Sequence, residues 1–190
     1  MSERVFVTGY GAVSPVGLTS DKTWEGLCEG RSGVDSISSF DAEGFDTTFA
    51  AEVTDFDPEI YVGKKQARRM DRFVQFAAAA SLEAIEKSEL KVTPENCEKI
   101  SVMIASGIGG IMTLSDQIGV LNKRGPSRVS PFLVPMMLPD MASGQVSIMT
   151  GAKGANYSTV SACASGADSI GMAFEAIRRG DVDIAITGAA

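Results

Sequence analysis

The sequence predicts an α/β protein, a layered sheet with helices packed against it. Two observations carry that prediction. Short apolar runs end in glycine, as in Ile100-Ser101-Val102-Met103-Ile104-Ala105 before Ser106-Gly107, and Val182-Asp183-Ile184-Ala185-Ile186-Thr187 before Gly188. Between such runs lie stretches of helical spacing, clearest at Ile170, Ala173, Phe174 and Ile177, which stand at i, i+3, i+4 and i+7.

Taken in order, Arg4-Val5-Phe6-Val7-Thr8-Gly9 reads as a buried strand, and Gly11 to Gly17 as a loop. A helix starts near Ser20 and Asp21, good N-cap types, and runs past Trp24 and Leu27 to Gly30. Residues 31–62 are less regular, with one strand at 48–53. Asp71 caps a helix through Phe73, Phe76, Ala77, Ala80 and Ala84, whose alanines point to close packing on another element. The strand at 100–105 runs into the turn Ser106-Gly107-Ile108-Gly109-Gly110, and a helix covers 111–122. Ser130 to Pro135 is irregular, its two prolines forbidding a central strand. A Met-rich helix follows at 138–149, then a short strand at 157–161. The helix carrying the 170–177 stripe ends at Arg178-Arg179-Gly180, basic residues before a glycine. A last strand ends at Gly188, so Ile184 and Ile186 are expected to leave apolar surface exposed.

Composition narrows the function. Hydrophobic residues make up 44% and charged residues 22%, an ordinary globular balance. No apolar run approaches the roughly 20 residues that span a bilayer. Met1-Ser2-Glu3-Arg4 leads straight into a strand pattern with no visible presequence, so no membrane association and a cytoplasmic location are expected. A net charge of −7 argues against nucleic acid as a partner. Cys28, Cys97 and Cys163 are odd in number, far apart and in no CxxC pair, which excludes a disulfide framework and a zinc knuckle. There is no histidine, so chemistry that needs an imidazole cannot be completed by these residues alone. Two glycine motifs are discounted. Gly9-x-Gly11 has Ser14 and Pro15 where a dinucleotide fingerprint has its third glycine, and Gly107-x-Gly109-Gly110 lacks the Lys-Ser/Thr of a phosphate loop.

The chemistry concentrates at Val160-Ser161-Ala162-Cys163-Ala164-Ser165-Gly166. A cysteine stands where strand gives way to helix, and its small neighbours permit a sharp turn and a close substrate. At a helix start, free N–H groups and the macrodipole favour the thiolate, and the same N–H groups can hold an oxyanion. The competing reading is a small hydrophobe buried in a tight turn. Cys28, on an apolar helix face, and Cys97, beside Glu95 and Glu98, are read as inert.

This motif resembles the active-site motif of the β-ketoacyl-acyl carrier protein synthases. So do Val7 to Gly17, Arg68-Arg69-Met70-Asp71-Arg72-Phe73, Ser106 to Gly110 and Ser130 to Pro135, in the same order and over nearly the whole chain. The likeness is nearest the elongating synthase II. It implies a thiolase-like fold in which residues 1–190 form the N-terminal half, a mixed sheet with helices on both faces. It implies Cys163 as acyl-carrying nucleophile, no resident cofactor because the phosphopantetheine arrives on the acyl carrier protein, and a homodimer in the full-length form. Family members are about twice this length. Their second half supplies two histidines and a lysine, so this chain alone is expected to be unable to run the condensation. By the same resemblance, Ile108 lies near the acyl tunnel and Leu133 reaches it from the partner subunit; plain core packing is the alternative for both.

Lys64, Lys65, Arg68, Arg69 and Arg72 form a basic stripe in an acidic protein. On one helix, 64/68/72 and 65/69 are like-charge i,i+4 pairs, each costing a few tenths of a kcal/mol. Either the stripe is a solvated face or it docks an acidic partner. The resemblance favours docking of acyl carrier protein by Lys65, Arg68, Arg69 and Arg128. A scaffold or partner subunit of the chain-length-factor kind is the rival from another class, and an enzyme acting on coenzyme A esters a second; the chain-length relatives typically lack the nucleophile that Cys163 supplies here, and the basic stripe favours a carrier protein.

Overall fold

The computed structural model describes residues 4–190; Met1–Glu3, read above as leading into the first strand, lie outside the described residues. A parallel sheet of order β4-β3-β5 is built from β3 (Ile100–Ala105), β4 (Asn156–Tyr157) and β5 (Ile184–Ala189). Every residue of β3 is buried, as expected of a parallel strand covered on both faces. Its side chains divide by the period of two. Ile100, Val102 and Ile104 meet Val74 and Ala77 of α3 (Arg72–Lys87) and Ala142 and Val146 of α6 (Met141–Thr150). On the other face Met103 meets Ala173 and Ala176 of α7 (Ser165–Arg178). The layered α/β prediction is met, with β3 in the middle.

The segment Arg4–Gly9 is not a strand, and Phe6 and Val7 are 67% and 86% exposed. β4 and β5 flank β3, and Arg4–Gly9 pairs with neither of their outer edges. The chain instead lies along α3. A Cβ on Gly9 would sit 2.2 Å from the Ala84 carbonyl oxygen, and one on Gly11 2.0 Å from that of Ala80. This is the close packing that the alanines of α3 point to. The Glu83 carboxylate ties the loop down, accepting from the Ala12 amide at 3.0 Å and from the Ser20 amide at 2.9 Å. Burial opposes ionisation of Glu83, but hydrogen bonds from Ser20, Ala12 and Lys87 outweigh it and hold its pKa below the ordinary carboxylate value.

Other boundaries moved for local reasons. Thr19 rather than Ser20 caps α1 (Ser20–Cys28). A hairpin of β1 (Val34–Ser36) and β2 (Phe49–Ala51) extends the one strand read in 31–62. α2 (Glu59–Ala67) breaks at Gly63, whose φ is +71°, and Arg72 belongs to the next helix, so 64, 68 and 72 are not one helical stripe. Arg72 lies between Phe56 and Phe76, 4.9 and 4.8 Å from their ring centres, and donates to the Val53 and Phe56 carbonyls. α4 (Ile111–Arg124) follows the glycine turn as expected, and α5 (Leu133–Met137) forms within the segment read as irregular. α6 begins at Met141, three residues after the predicted start, because Leu138 precedes Pro139 and is extended.

β4 stops at Tyr157 instead of reaching Ser161. The fully buried Ser143 hydroxyl replaces the next ladder bond: it accepts from the Ile104 amide at 2.7 Å and lies 2.9 Å from the Tyr157 carbonyl oxygen. On α7 the face packed on the sheet is Ser165, Ser169, Ala173 and Ala176, while Ile170 and Phe174 of the predicted stripe are 54% and 40% exposed. Small residues let α7 approach the strands closely, and the Ser169 hydroxyl donates to the Met103 carbonyl. Ile186, expected to be exposed, is buried. Among the described residues no helix is long and apolar enough to cross a membrane.

Candidate active site

Cys163 lies in a 3-10 turn, Ala162–Ala164, immediately ahead of α7, and is exposed. The cysteine is therefore presented, not packed, by the described residues. Cys28 is exposed at the end of α1 and Cys97 is buried. Ala162 has φ +52°, the left-handed region, which costs a residue with a Cβ about 1–2 kcal/mol. Such strain persists only where neighbours hold it. Ser165, 2% exposed, is the holder: its hydroxyl accepts from the Ser161 amide at 2.9 Å and donates to the Ala162 carbonyl at 2.7 Å. Thr159 donates to the Ser165 carbonyl, and the Ser161 hydroxyl bonds the Asp168 carboxylate. The sequence points to the sharp turn, but the Ser165 staple that closes it is legible only once the chain is folded.

The glycine turn stands against this elbow. A Cβ on Gly107 would lie 3.4 Å from the Ala162 carbonyl oxygen. Ile108, 70% exposed, stands in the turn, and Gly109 has φ +77°. On its other side the turn meets the end of α5. The Gly110 amide donates to the Met137 carbonyl at 3.0 Å, and a Cβ on Gly110 would lie 2.2 Å from the Met136 carbonyl oxygen. Leu133, half-buried, starts that same short helix. Ile108 and Leu133 are thus carried by segments joined at Gly110 and Met137.

The basic residues form a second feature. Lys64, Lys65, Arg68, Arg69 and Phe132 line a shallow groove of about 480 Å³. The Arg69 guanidinium sits over the Phe132 ring, 4.6 Å from its centre, and Phe132 directly precedes Leu133. None of the four cations forms an ion pair among the described residues. Arg128 is exposed in a separate 3-10 turn, Pro126–Arg128, and does not line the groove. Phe132, which no charge or spacing argument marked, does. Among the described residues no cluster of His, Cys, Asp and Glu could hold a metal ion.

A parallel α/β sheet here presents an exposed cysteine on a strained, stapled turn at the head of a helix. Residues 2–190 match the beta-ketoacyl synthase, N-terminal domain, and the chain belongs to that family. It is 48% identical over 187 residues to the 3-oxoacyl-[acyl-carrier-protein] synthase 2 of Staphylococcus aureus (strain COL), covering 98% of this chain and 45% of that protein. It is 46% identical over 186 residues to the synthase 2 of Synechocystis, again 45% of that protein. Among solved structures it resembles the ishigamide ketosynthase/chain length factor, with 30% identity and a TM-score of 0.87 over 100% of this chain and 48% of the other. The chain therefore spans about half the length of the relatives it matches, and the fold is the thiolase-like one of the ketosynthases.

Proposed function

We propose that this chain is the N-terminal half of a condensing enzyme of type II fatty-acid synthesis, with Cys163 as its acyl carrier. The Cys163 thiolate attacks the carbonyl carbon of an acyl-carrier-protein thioester. The tetrahedral oxyanion collapses, the carrier thiol leaves with a proton, and an acyl-Cys163 thioester remains. Malonyl-carrier protein then loses CO2. The resulting carbanion attacks the acyl-Cys163 carbonyl, a C–C bond forms, the C–S bond breaks, and a 3-oxoacyl-carrier protein longer by two carbons departs. The second half of the enzyme would bring two histidines and a lysine to the decarboxylation, and the working form would be a cytoplasmic homodimer. The reaction calls on no resident cofactor, since the phosphopantetheine arrives on the substrate.

The observation that carries this reading is the exposed Cys163 on its stapled elbow, in a chain 48% identical to a synthase 2 over 98% of its length. The groove of Lys64, Lys65, Arg68 and Arg69 supports an acidic carrier protein as the partner. The test is turnover. A full-length enzyme carrying this chain as its N-terminal half should convert acyl- and malonyl-carrier protein to the 3-oxoacyl product, and the 190-residue chain alone should not. A full-length enzyme that makes no such product would end the proposal. The likeness to a ketosynthase/chain length factor favours a second reading, a non-catalytic partner subunit. Cys163 counts against it, because a scaffold needs no presented thiol.

A further inference from the structure

One buried carboxylate caps two helices. Asp71, 6% exposed, is the N-cap of α3, and its Oδ1 accepts from the Phe73 amide at 3.4 Å. Its Oδ2 points elsewhere. It accepts from the Thr113 amide at 3.1 Å and the Thr113 hydroxyl at 2.5 Å, in the first turn of α4. α4 has no side-chain cap of its own, because its N-cap is Gly110. A residue 42 positions back thus does the work that a Ser or Asp at 110 would ordinarily do. Gly110 cannot carry such a side chain, since a Cβ there would lie 3.0 Å from Asp71 Oδ2 and 2.2 Å from the Met136 carbonyl oxygen.

The turn between β3 and α4 is accordingly held from three sides: by Asp71 through Thr113, by Met137 through the Gly110 amide, and by the elbow at Ala162 against Gly107. Ile108 is the exposed side chain of that turn. Asp71 also follows Arg68 and Arg69 almost directly in the chain, and Arg69 stacks on Phe132 at the head of α5, whose far end holds Gly110. Both connections run from the basic groove to the Ile108 turn.

We propose that Asp71 is a positioning residue for acyl-chain selection: its second oxygen fixes the Ile108 turn against the Cys163 elbow. The proposal rests on the acyl-transfer reading for its consequence, though not for its geometry. Asp71→Asn keeps the shape but replaces one oxygen by an NH2 group, so whichever way the amide turns, one helix N-terminus faces a donor instead of an acceptor. Thr113→Val keeps the amide bond and loses the hydroxyl, and Thr113→Ser restores it.

In the full-length enzyme, Asp71→Asn and Thr113→Val should each change the ratio of kcat/KM for long over short acyl-carrier substrates by about tenfold, while KM for malonyl-carrier protein stays within about twofold. Thr113→Ser should return the ratio to the parent value. Amide hydrogen exchange should quicken by about tenfold over residues 106–113 and stay unchanged in the middle of α7. If Asp71→Asn does not fold, Thr113→Val decides the matter. An unchanged exchange rate at 106–113, or an unchanged chain-length ratio in a folded variant, would overturn the proposal. So would equal loss for every substrate. The exchange measurement needs no turnover, so an inert parent enzyme would end the acyl-transfer reading and the acyl-chain consequence with it, while exchange over 106–113 would still decide whether Asp71 holds the turn.

Discussion

The Ser165 staple yields the most demanding prediction. Ser165→Ala removes the acceptor of the Ser161 amide and the donor to the Ala162 carbonyl, and leaves the Thr159 bond in place. Two such hydrogen bonds are worth about 1–3 kcal/mol together in net terms. The left-handed Ala162 costs about 1–2 kcal/mol, so the staple and the strain it holds are of similar size. Without the staple, a relaxed elbow competes with the strained one, and each 1.4 kcal/mol of lost preference reduces the poised population about tenfold. Acyl-Cys163 formation from acyl-carrier protein, followed by rapid quench and intact mass, should slow by about tenfold in the full-length enzyme. The melting temperature of that longer chain should fall by about 1–2 °C for each kcal/mol lost. A lower melting temperature with an unchanged acylation rate would mean that Ser165 stabilises the fold without poising the cysteine. No change in either would refute the argument.

Two further outcomes follow from charge. Reversing Arg68 and Arg69 to glutamate should raise KM for carrier protein with little effect on acylation from a small thioester, and the difference should shrink in high salt; unchanged, salt-independent kinetics would show the groove to be a solvated face. Glu83 has a folded pKa below its ordinary value of 4.5, so the stability it contributes is present above that value and is lost as pH falls through the lower folded one. Denaturant unfolding between about pH 3 and 6 should therefore lose less stability in Glu83→Gln than in the parent, and parallel curves would remove Glu83 as the anchor of the N-terminal loop.

Where the sequence succeeded and failed has a common physical cause. Ile100–Ala105 is legible because six residues buried on both faces leave a run that is apolar except at Ser101, with a glycine turn after it. Asp71 is legible as the cap of α3 because capping is local. What escaped was decided over long separations. Val5-Phe6-Val7 has the composition of a strand, but the segment is drawn onto α3 through Gly9 and Gly11, a contact more than 65 residues away in the chain. Ser143 ends β4 by bonding both Ile104, 39 residues before it, and Tyr157, 14 residues after it. Periodicity located α7 and half of its buried face: Ala173 and Ile177 pack toward Met103, but Ile170 and Phe174 stay exposed and Ser169 and Ala176 are buried in their stead. At the site, Cys163 was marked by its small neighbours and by the family motif. The second role of Asp71 and the place of Phe132 in the basic groove rest on tertiary contacts that no local pattern encodes. Gly63 carries the same lesson, because only the fold says whether a glycine between Val62 and Lys64 bends a helix or breaks it.

The most direct measurement is peptide mapping of the full-length enzyme after brief exposure to acyl-carrier protein with no malonyl partner. The account predicts one acyl group per active site, on the Cys163 sulfur, discharged when malonyl-carrier protein is added. Acyl transfer to product with that sulfur unmodified throughout would contradict it.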